Sequence, residues 1–238
     1  MNLLLLSNST NYGEPYMQWC SSTITSFVKD HSSIIFIPYA GVGFTYDEYT
    51  QKVNYALESL RAFALSSKLS RLETLTSKDD KAKALKDSSA IFVGGGNTFH
   101  LLKMLQQFDL LETIQKVVAN GKPYVGWSAG SNIASPTIRT TNDMPIVEPK
   151  SFQSLSLVPF QINPHYTEKS IPNHGGESRL QRLREFLAAN PHQKVIALPE
   201  SSYLVCNGNQ LIYNGRFDGK VITSSGIKAI NDQSNVIF

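Results

Sequence analysis

The sequence predicts an α/β fold: a mostly parallel central sheet with helices on both faces, followed by C-terminal β-hairpin strands. Short apolar runs bounded by turn residues alternate with segments whose apolar residues recur at helical spacing. Several apolar runs end in glycine or proline, as strands do where they enter a loop. Near the C-terminus, Asn-Gly pairs separate β-branched and aromatic runs, which is typical of hairpins.

The elements follow in order along the chain. Strands are predicted at apolar runs within 2–6, 33–40, 90–96, 122–127, 155–166 and 194–202, with hairpin strands within 203–216 and 220–230. Helices are predicted at 16–29, 46–65, 79–87 and 177–190, and one or two more within 98–121, where a glycine ends the pattern. Because no repeat or linker interrupts this series, we predict one α/β domain over residues 1–238.

Composition narrows the class of protein. The 238 residues are 41% hydrophobic and have a formal net charge of +3 without a long basic stripe, so no nucleic-acid partner is expected. No apolar run approaches the roughly 18 residues of a membrane helix, and the first run lacks a basic flank. Cys20 and Cys206 have no metal-ligand spacing. We therefore expect a cytoplasmic protein with two buried thiols, no metal, no cofactor and no membrane contact.

One turn carries a candidate nucleophile. Gly126-Trp127-Ser128-Ala129-Gly130 matches the G-x-S-x-G elbow, in which a serine stands on a tight turn between a strand and a helix. Such a turn exposes the serine hydroxyl and directs the following N–H groups, that of Ala129 first, toward a developing oxyanion. The alternative is that Ser128 only caps the next helix.

A second turn, FVGGGNTF at 92–99, follows another predicted strand. The dinucleotide pattern G-x-G-x-x-G fails, because Phe99 occupies its last position, and the phosphate-loop spacing and lysine are missing. A glycine turn facing the serine elbow would instead supply a second oxyanion donor from Gly95 or Gly96. The alternative is a plain strand-to-helix turn capped by Asn97.

A serine nucleophile needs a base and a group that orients the base. Of five histidines, His165 stands at a predicted strand end in INPHY, where α/β sheets gather functional groups. Two acids are candidates: Glu200 ends the strand VIALPE, and Asp143 lies in a loop soon after the elbow. The chain order of α/β-hydrolases favours Asp143, but only 22 residues separate it from His165. The strand-end position favours Glu200, which is preferred here, with Asp143 as the alternative.

Together the segments GGGNTF, GWSAGSN, IRTTNDMPIV, INPHY, HGGESR and ALPESS resemble peptidase E, the aspartyl dipeptidase family of serine peptidases with a class I glutamine amidotransferase-like fold. The resemblance implies Ser128 as nucleophile, His165 as base, and the N–H groups of Gly96 and Ala129 as oxyanion donors. It implies that Arg179 binds the aspartyl carboxylate of a small acidic dipeptide. The resemblance does not decide whether Glu200 or Asp143 is the acid that orients His165. The protein is expected to be a monomer or a homodimer.

Two related chemistries and one non-enzymatic role are alternatives. Glutamine amidotransferases use a cysteine nucleophile and an acid two residues after the histidine, where this chain has Thr167, so amidotransfer is disfavoured. Cyanophycinases share the serine elbow, and a hydrolase of another acidic amide would fit the same motifs. A ligand-binding domain without catalysis would have lost part of the serine, histidine and acid set, which is complete here.

Overall fold

The computed structural model describes residues 1–59, 68–71, 77–169 and 175–236. The part of the predicted helix 46–65 beyond Ser59, and His174 of the segment HGGESR, lie outside these described residues. Within them, the elements alternate as the sequence predicts over most of the chain.

The strands are β1 (Asn2–Leu6), β2 (Ser33–Ile37), β3 (Lys68–Arg71), β4 (Ala90–Val93), β5 (Tyr124–Trp127), β6 (Gln161–Tyr166), β7 (Val195–Pro199), β8 (Ser202–Asn207), β9 (Gln210–Gly215), β10 (Gly219–Thr223), β11 (Gly226–Ile230) and β12 (Ser234–Asn235). The helices are α1 (Ser21–Phe27), α2 (Tyr46–Ser59), α3 (Lys78–Asp87), α4 (Thr98–Gln107), α5 (Leu111–Ala119), α6 (Ala129–Asn132) and α7 (Arg179–Ala189). The sequence patterns had not indicated β3 or β12.

A large sheet has the strand order β12-β9-β8-β1-β5-β4-β2-β3. Strands β1, β5, β4, β2 and β3 are parallel, and β8, β9 and β12 extend the sheet in antiparallel pairs. Leu3 and Leu5 pack into a core that includes α4 and α5, whereas Leu4 and Leu6 pack into a core that includes α1 and α2. Alternate side chains thus bury both faces, which confirms the predicted fold class.

Strands β6 and β7 belong to a second sheet, with the order β11-β10-β7-β6, although their apolar runs predicted strands of the central sheet. Alternation explains the arrangement. Ile196 and Leu198 of β7 join the main core, and Val195 and Ala197 pack beneath α7. A strand buried on both faces gives the same apolar run whichever sheet it joins, so its sequence could not reveal its partners.

The C-terminal strands confirm one Asn-Gly hairpin and correct another. Gly208, with φ +61°, lies in the two-residue connection between β8 and β9. Gly215 is instead the last residue of β9, after which the chain crosses to the second sheet. A Cβ on Gly215 would lie 2.5 Å from the Tyr213 hydroxyl, so close packing rather than a turn requires glycine there.

This topology brings four chain segments to one place. The parallel strands β4 and β5 are neighbours and end at the glycine turn and at Ser128. The parallel strands β6 and β7 end at His165-Tyr166 and just before Glu200. The carboxyl ends of parallel strands are where open α/β sheets place their sites. In the described ranges, no helix has the length and apolar character needed to cross a membrane.

Candidate active site

Ser128 has a backbone conformation that L residues rarely adopt, with φ 53° and ψ −112°. It occupies the N-cap position of α6, but its side chain makes no capping hydrogen bond, so the capping role considered for this serine is not observed. Its backbone N–H donates to the carbonyl of Leu6 at 3.0 Å, which fixes the turn against the end of β1. The partly exposed hydroxyl is therefore left available for another partner.

The glycines on either side of this serine are required by close backbone approach. A Cβ on Gly126 would lie 2.3 Å from the carbonyl oxygen of Gly130, and one on Gly130 would lie 2.1 Å from that of Val93. Real Cβ atoms do not come so near to backbone oxygen, so any other residue would push the turn away from β4 and β5. The G-x-S-x-G spacing is thus a packing requirement of this turn.

The glycine turn after β4 packs directly on the serine turn. A Cβ on Gly95 would lie 3.0 Å from the Cβ of Ser128 and 3.0 Å from the carbonyl of Trp127. Gly96 has φ +134°, and a Cβ there would lie 2.2 Å from the carbonyl of Ala40. The hydroxyl of Tyr49 donates to the Gly95 carbonyl at 2.8 Å, which fixes the turn from behind. The two turns therefore face each other as the sequence predicts.

His165 lies between Ser128 and Glu200. Its Nε2 is 3.0 Å from Ser128 Oγ, and its Nδ1 is 3.1 Å from Glu200 Oε1. The residue has φ 52°, at a point where the register between β6 and β7 shifts. Side-chain exposures of 39% for His165 and 52% for Glu200 leave this pair in contact with solvent.

Two buried residues after β1 hold this arrangement, and no motif in the sequence indicated them. Ser7 Oγ accepts the backbone N–H of His165 at 2.9 Å and donates to the carbonyl of Leu198 at 2.8 Å. Asn8 Oδ1 accepts the N–H of Ser201 at 2.9 Å, next to Glu200. Because Ser7 and Asn8 also follow a strand of the parallel sheet, the strand-end rule could have found them.

Asp143 has different neighbours. Its Oδ2 accepts the backbone N–H of Thr98 at 2.7 Å, the Thr98 hydroxyl at 2.5 Å and the Thr141 hydroxyl at 3.0 Å. This places a carboxylate at the N-terminus of α4, where the helix dipole favours negative charge. The hydrogen bonds described for Asp143 thus tie its loop to the start of α4, whereas those of Glu200 include His165.

Arg179 is the first residue of α7 and lies within the capping box formed by Ser178 and Gln181. Its side chain is partly buried, and burial lowers the pKa of its guanidinium group. Within the described residues, its buried Nε has no hydrogen-bond partner. By contrast, Arg182 on the same helix is exposed and pairs with Glu177 and Glu185.

Two cavities meet at His165. The larger, about 740 Å³, extends past Glu200 toward Phe217 and Lys220. The smaller, about 200 Å³, is the one of the two that Ser128 lines, and for that reason it is the candidate reaction site. It is lined by Ser9, Tyr16, Phe44, Tyr49, Lys52, Gly95, Gly96, Ser128 and His165. We call it the Ser128 cavity.

The Ser128 cavity includes a lysine that no motif had indicated. Lys52 lies on an exposed face of α2, and its ammonium group is 4.4 Å from the centroid of the Tyr16 ring. No carboxylate is among the residues that line this cavity. An exposed lysine on a helix gives no sequence signal, because most such residues are simply solvated. In the part of the chain that the structure describes, no cluster of three or more His, Cys, Asp or Glu side chains could hold a metal ion.

Solved structures of other proteins share this fold. A crystal structure of a peptidase from an acI-B1 Actinobacterium superposes with a TM-score of 0.73, at 18% identity, over 100% of this chain and 96% of that one. A crystal structure from Listeria monocytogenes gives a TM-score of 0.63 at 24% identity, covering 91% of this chain and 98% of that one. These likenesses establish the fold.

Sequence relatives establish the family. The protein named Peptidase E from Nostoc sp. is 46% identical over 223 residues, covering 90% of this chain and 89% of that protein. Peptidase E from Shewanella amazonensis is 46% identical over 212 residues, covering 89% and 87%. The model of peptidase family S51 matches residues 3–213, a range that contains both turns, the histidine and both candidate acids. The chain therefore belongs to peptidase family S51.

Proposed function

We propose that the protein is a serine-type dipeptidase that hydrolyses dipeptides with an N-terminal aspartate through an acyl-enzyme on Ser128. One observation carries the proposal. Ser128, His165 and Glu200 form a continuous hydrogen-bonded series, with distances of 3.0 Å and 3.1 Å, on a serine whose backbone is strained. A nucleophile, a base in contact with it and an acid in contact with the base are the three groups that serine hydrolysis requires.

The reaction follows from these contacts. Ser128 Oγ attacks the carbonyl carbon of the aspartyl residue while His165 Nε2 takes the hydroxyl proton. The intermediate collapses as His165 returns that proton to the leaving amine, which breaks the C–N bond and leaves an aspartyl ester. Water activated by His165 then attacks the ester, and Ser128 regains its proton. Glu200 accepts a hydrogen bond from the Nδ1–H of His165 and stabilises the imidazolium ion that forms.

The N–H groups of Gly96 and Ala129 are the oxyanion donors in this proposal. Ala129 begins α6, and the first N–H groups of a helix have no acceptor within it. Gly96 is exposed and lines the same cavity as Ser128. Because it has no side chain, its backbone can adopt a positive φ and lie close to the carbonyl of Ala40. Donors fixed in advance on two facing turns stabilise the developing negative charge without reorganisation.

Two cationic side chains agree with an acidic substrate. Lys52 lines the Ser128 cavity, and Arg179, which is not among its lining residues, has a buried Nε without a partner among the described residues. In the proposal, Arg179 binds the aspartyl side chain, since a guanidinium group pairs with a carboxylate through two parallel hydrogen bonds. Asparagine, which lacks the negative charge, would then be a poor replacement.

Hydrolysis of Asp-Leu, Asn-Leu and Glu-Leu by the purified protein tests the proposal. We expect cleavage of Asp-Leu in clear preference, and a loss of kcat of at least about a thousandfold in Ser128→Ala. Glu200→Gln should lower kcat strongly, while Asp143→Asn should act mainly through stability. Hydroxylamine should capture the ester as aspartyl hydroxamate.

The contrary outcomes are distinct. Unchanged cleavage by Ser128→Ala would remove the serine mechanism. Hydrolysis of a β-aspartyl peptide or polymer in place of Asp-Leu would indicate a cyanophycinase-like hydrolase. No hydrolysis of any of these amides, with binding retained, would favour a ligand-binding protein. A larger loss of kcat in Asp143→Asn than in Glu200→Gln, at equal thermal stability, would transfer the orienting role to Asp143.

A further inference from the structure

Lys52 is a cation held at the Ser128 cavity without an acidic partner. Its ammonium group lies 4.4 Å from the centroid of the Tyr16 ring, a distance at which a cation is attracted to an aromatic face. Tyr16 also lines the cavity, so this contact keeps the lysine beside the cavity wall. Among the ion pairs of the described residues, none involves Lys52. The charge is therefore available to a ligand.

An aspartyl dipeptide has two carboxylates that need a cation. One is the aspartyl side chain, and the other is the free α-carboxylate of the leaving residue, beyond the scissile bond. The proposed function gives the first to Arg179, which is not among the residues lining the Ser128 cavity. Lys52 has the only permanently charged side chain among those residues, in the same cavity as the nucleophile.

We infer that Lys52 binds the free α-carboxylate of the leaving residue, and thereby favours dipeptides over longer or C-terminally blocked substrates. The inference rests on the proposed function, because it assigns a second carboxylate of the same substrate. A lysine suits this position, since its flexible stem and point charge follow leaving residues of different size. A substrate with a blocked C-terminus offers this ammonium group no charge to pair with.

The test compares Asp-Leu with Asp-leucinamide, which lacks only the terminal charge. Lys52→Met keeps the length of the side chain and removes the ammonium group. We expect it to lower kcat/KM for Asp-Leu about tenfold, as for a lost hydrogen bond to a charged group, and to change that for the amide less than twofold. Lys52→Arg should recover most of the activity on Asp-Leu. Lys103→Met, at an exposed position of α4, is the matched control and should leave kcat/KM unchanged for both substrates.

Every outcome bears on the inference. An equal loss on both substrates would overturn it, because the lysine would then serve the aspartyl end or the structure of the site. No loss on Asp-Leu would also overturn it while leaving the dipeptidase proposal intact. If the unmodified protein cleaved neither substrate, the dipeptidase proposal itself would fail, and the role of Lys52 with it. Melting temperatures of the variants, expected to be equal, separate these effects from misfolding.

Discussion

Three non-glycine residues with positive φ meet at the candidate site. Ser128, His165 and Ser201 have φ values of 53°, 52° and 62°, and each follows or ends a different strand. Such conformations cost about 1–3 kcal/mol each and persist only where the surroundings enforce them. Here the enforcing contacts are the tight glycine turns and the hydrogen bonds that the N–H groups of His165 and Ser201 donate to Ser7 and Asn8. The strain directs the side chains of Ser128 and His165 toward each other.

Ser7 is expected to act as a positioning residue for His165. Removing its hydroxyl in Ser7→Ala leaves the backbone N–H of His165 and the carbonyl of Leu198 with one hydrogen bond fewer each. We expect kcat on Asp-Leu to fall about tenfold or more with little change in KM, because the base shifts relative to Ser128.

The matched control for Ser7 is Ser154→Ala. Ser154 is also buried, and its hydroxyl donates to the carbonyl of Ser135 at 2.5 Å. Both variants should lose about 1–3 kcal/mol of unfolding free energy, as measured by urea denaturation. A fall in kcat of the same size in both would mean that Ser7 acts only through stability.

At the scale of the element, Lys122 connects α3 to the strand that carries the serine turn. Its ammonium group donates to the carbonyls of Leu85 at 2.6 Å and Lys86 at 2.8 Å, and also to the carbonyl of Ser88. The last carbonyls of a helix have no donors within the helix, and a lysine is a favourable partner for them. The residue stands just before β5.

Lys122→Met should therefore destabilise the protein by about 1–3 kcal/mol. Lys116→Met is the control, since Lys116 forms an exposed i,i+4 ion pair with Glu112, and such pairs contribute at most about 0.5 kcal/mol. Urea denaturation measures both, and hydrogen exchange should quicken in the last turn of α3 only in the first variant. Equal stability of the two variants would show that the carbonyl contacts of Lys122 are not stabilising.

The elements themselves were predictable from their apolar runs and from their capping residues. β1, β2, β4, β5 and β7 each contain a run of buried apolar residues, and α7 has a serine cap followed by good helix formers. Ser128 and His165 were predictable because strand ends in such folds converge. The separate sheet that contains β6 and β7 was not predictable, because an apolar run indicates that a strand is buried but not which strands it pairs with. Nor was Lys52, whose position depends on how α2 packs on Tyr16.

At the scale of the whole molecule, a buried cysteine thiol and buried tyrosine hydroxyls predict that the protein becomes less stable at alkaline pH. Burial raises the pKa of Cys20 from 9.0 to about 12, and also raises the pKa values of Tyr49 and Tyr124 well above 10.0. At a pH between the ordinary pKa of such a group and its raised pKa in the folded protein, the folded protein keeps a proton that the unfolded chain has released. The unfolded state thus binds fewer protons, and the unfolding free energy falls as pH rises above about 9.

Urea denaturation at pH 8, 9, 10 and 10.5 measures this slope. Each fully buried group contributes up to about 1.4 kcal/mol per pH unit once the unfolded form has deprotonated. Cys20→Ala should reduce the slope between pH 8 and 10 without removing it, because the unfolded tyrosines begin to deprotonate as pH approaches 10. A stability independent of pH over this range would contradict the burial of these groups. Cys206, predicted to be buried, is only partly so. Burial also raises the pKa of its thiol, so Cys206→Ala should flatten the curve too, but less than Cys20→Ala does.

The place of β1 in the large sheet governs the order in which the protein can fold. Leu3 pairs with Tyr124 on one side and Cys206 on the other, so the central strand is an early segment of the chain with late partners. Until β5 and β8 have been synthesised, both edges of the apolar strand β1 are unpaired. Unpaired edges can pair with strands of other chains. Contacts so distant in sequence also make assembly slow. We therefore expect refolding and aggregation to compete until β8 closes the sheet, and dilution should favour refolding.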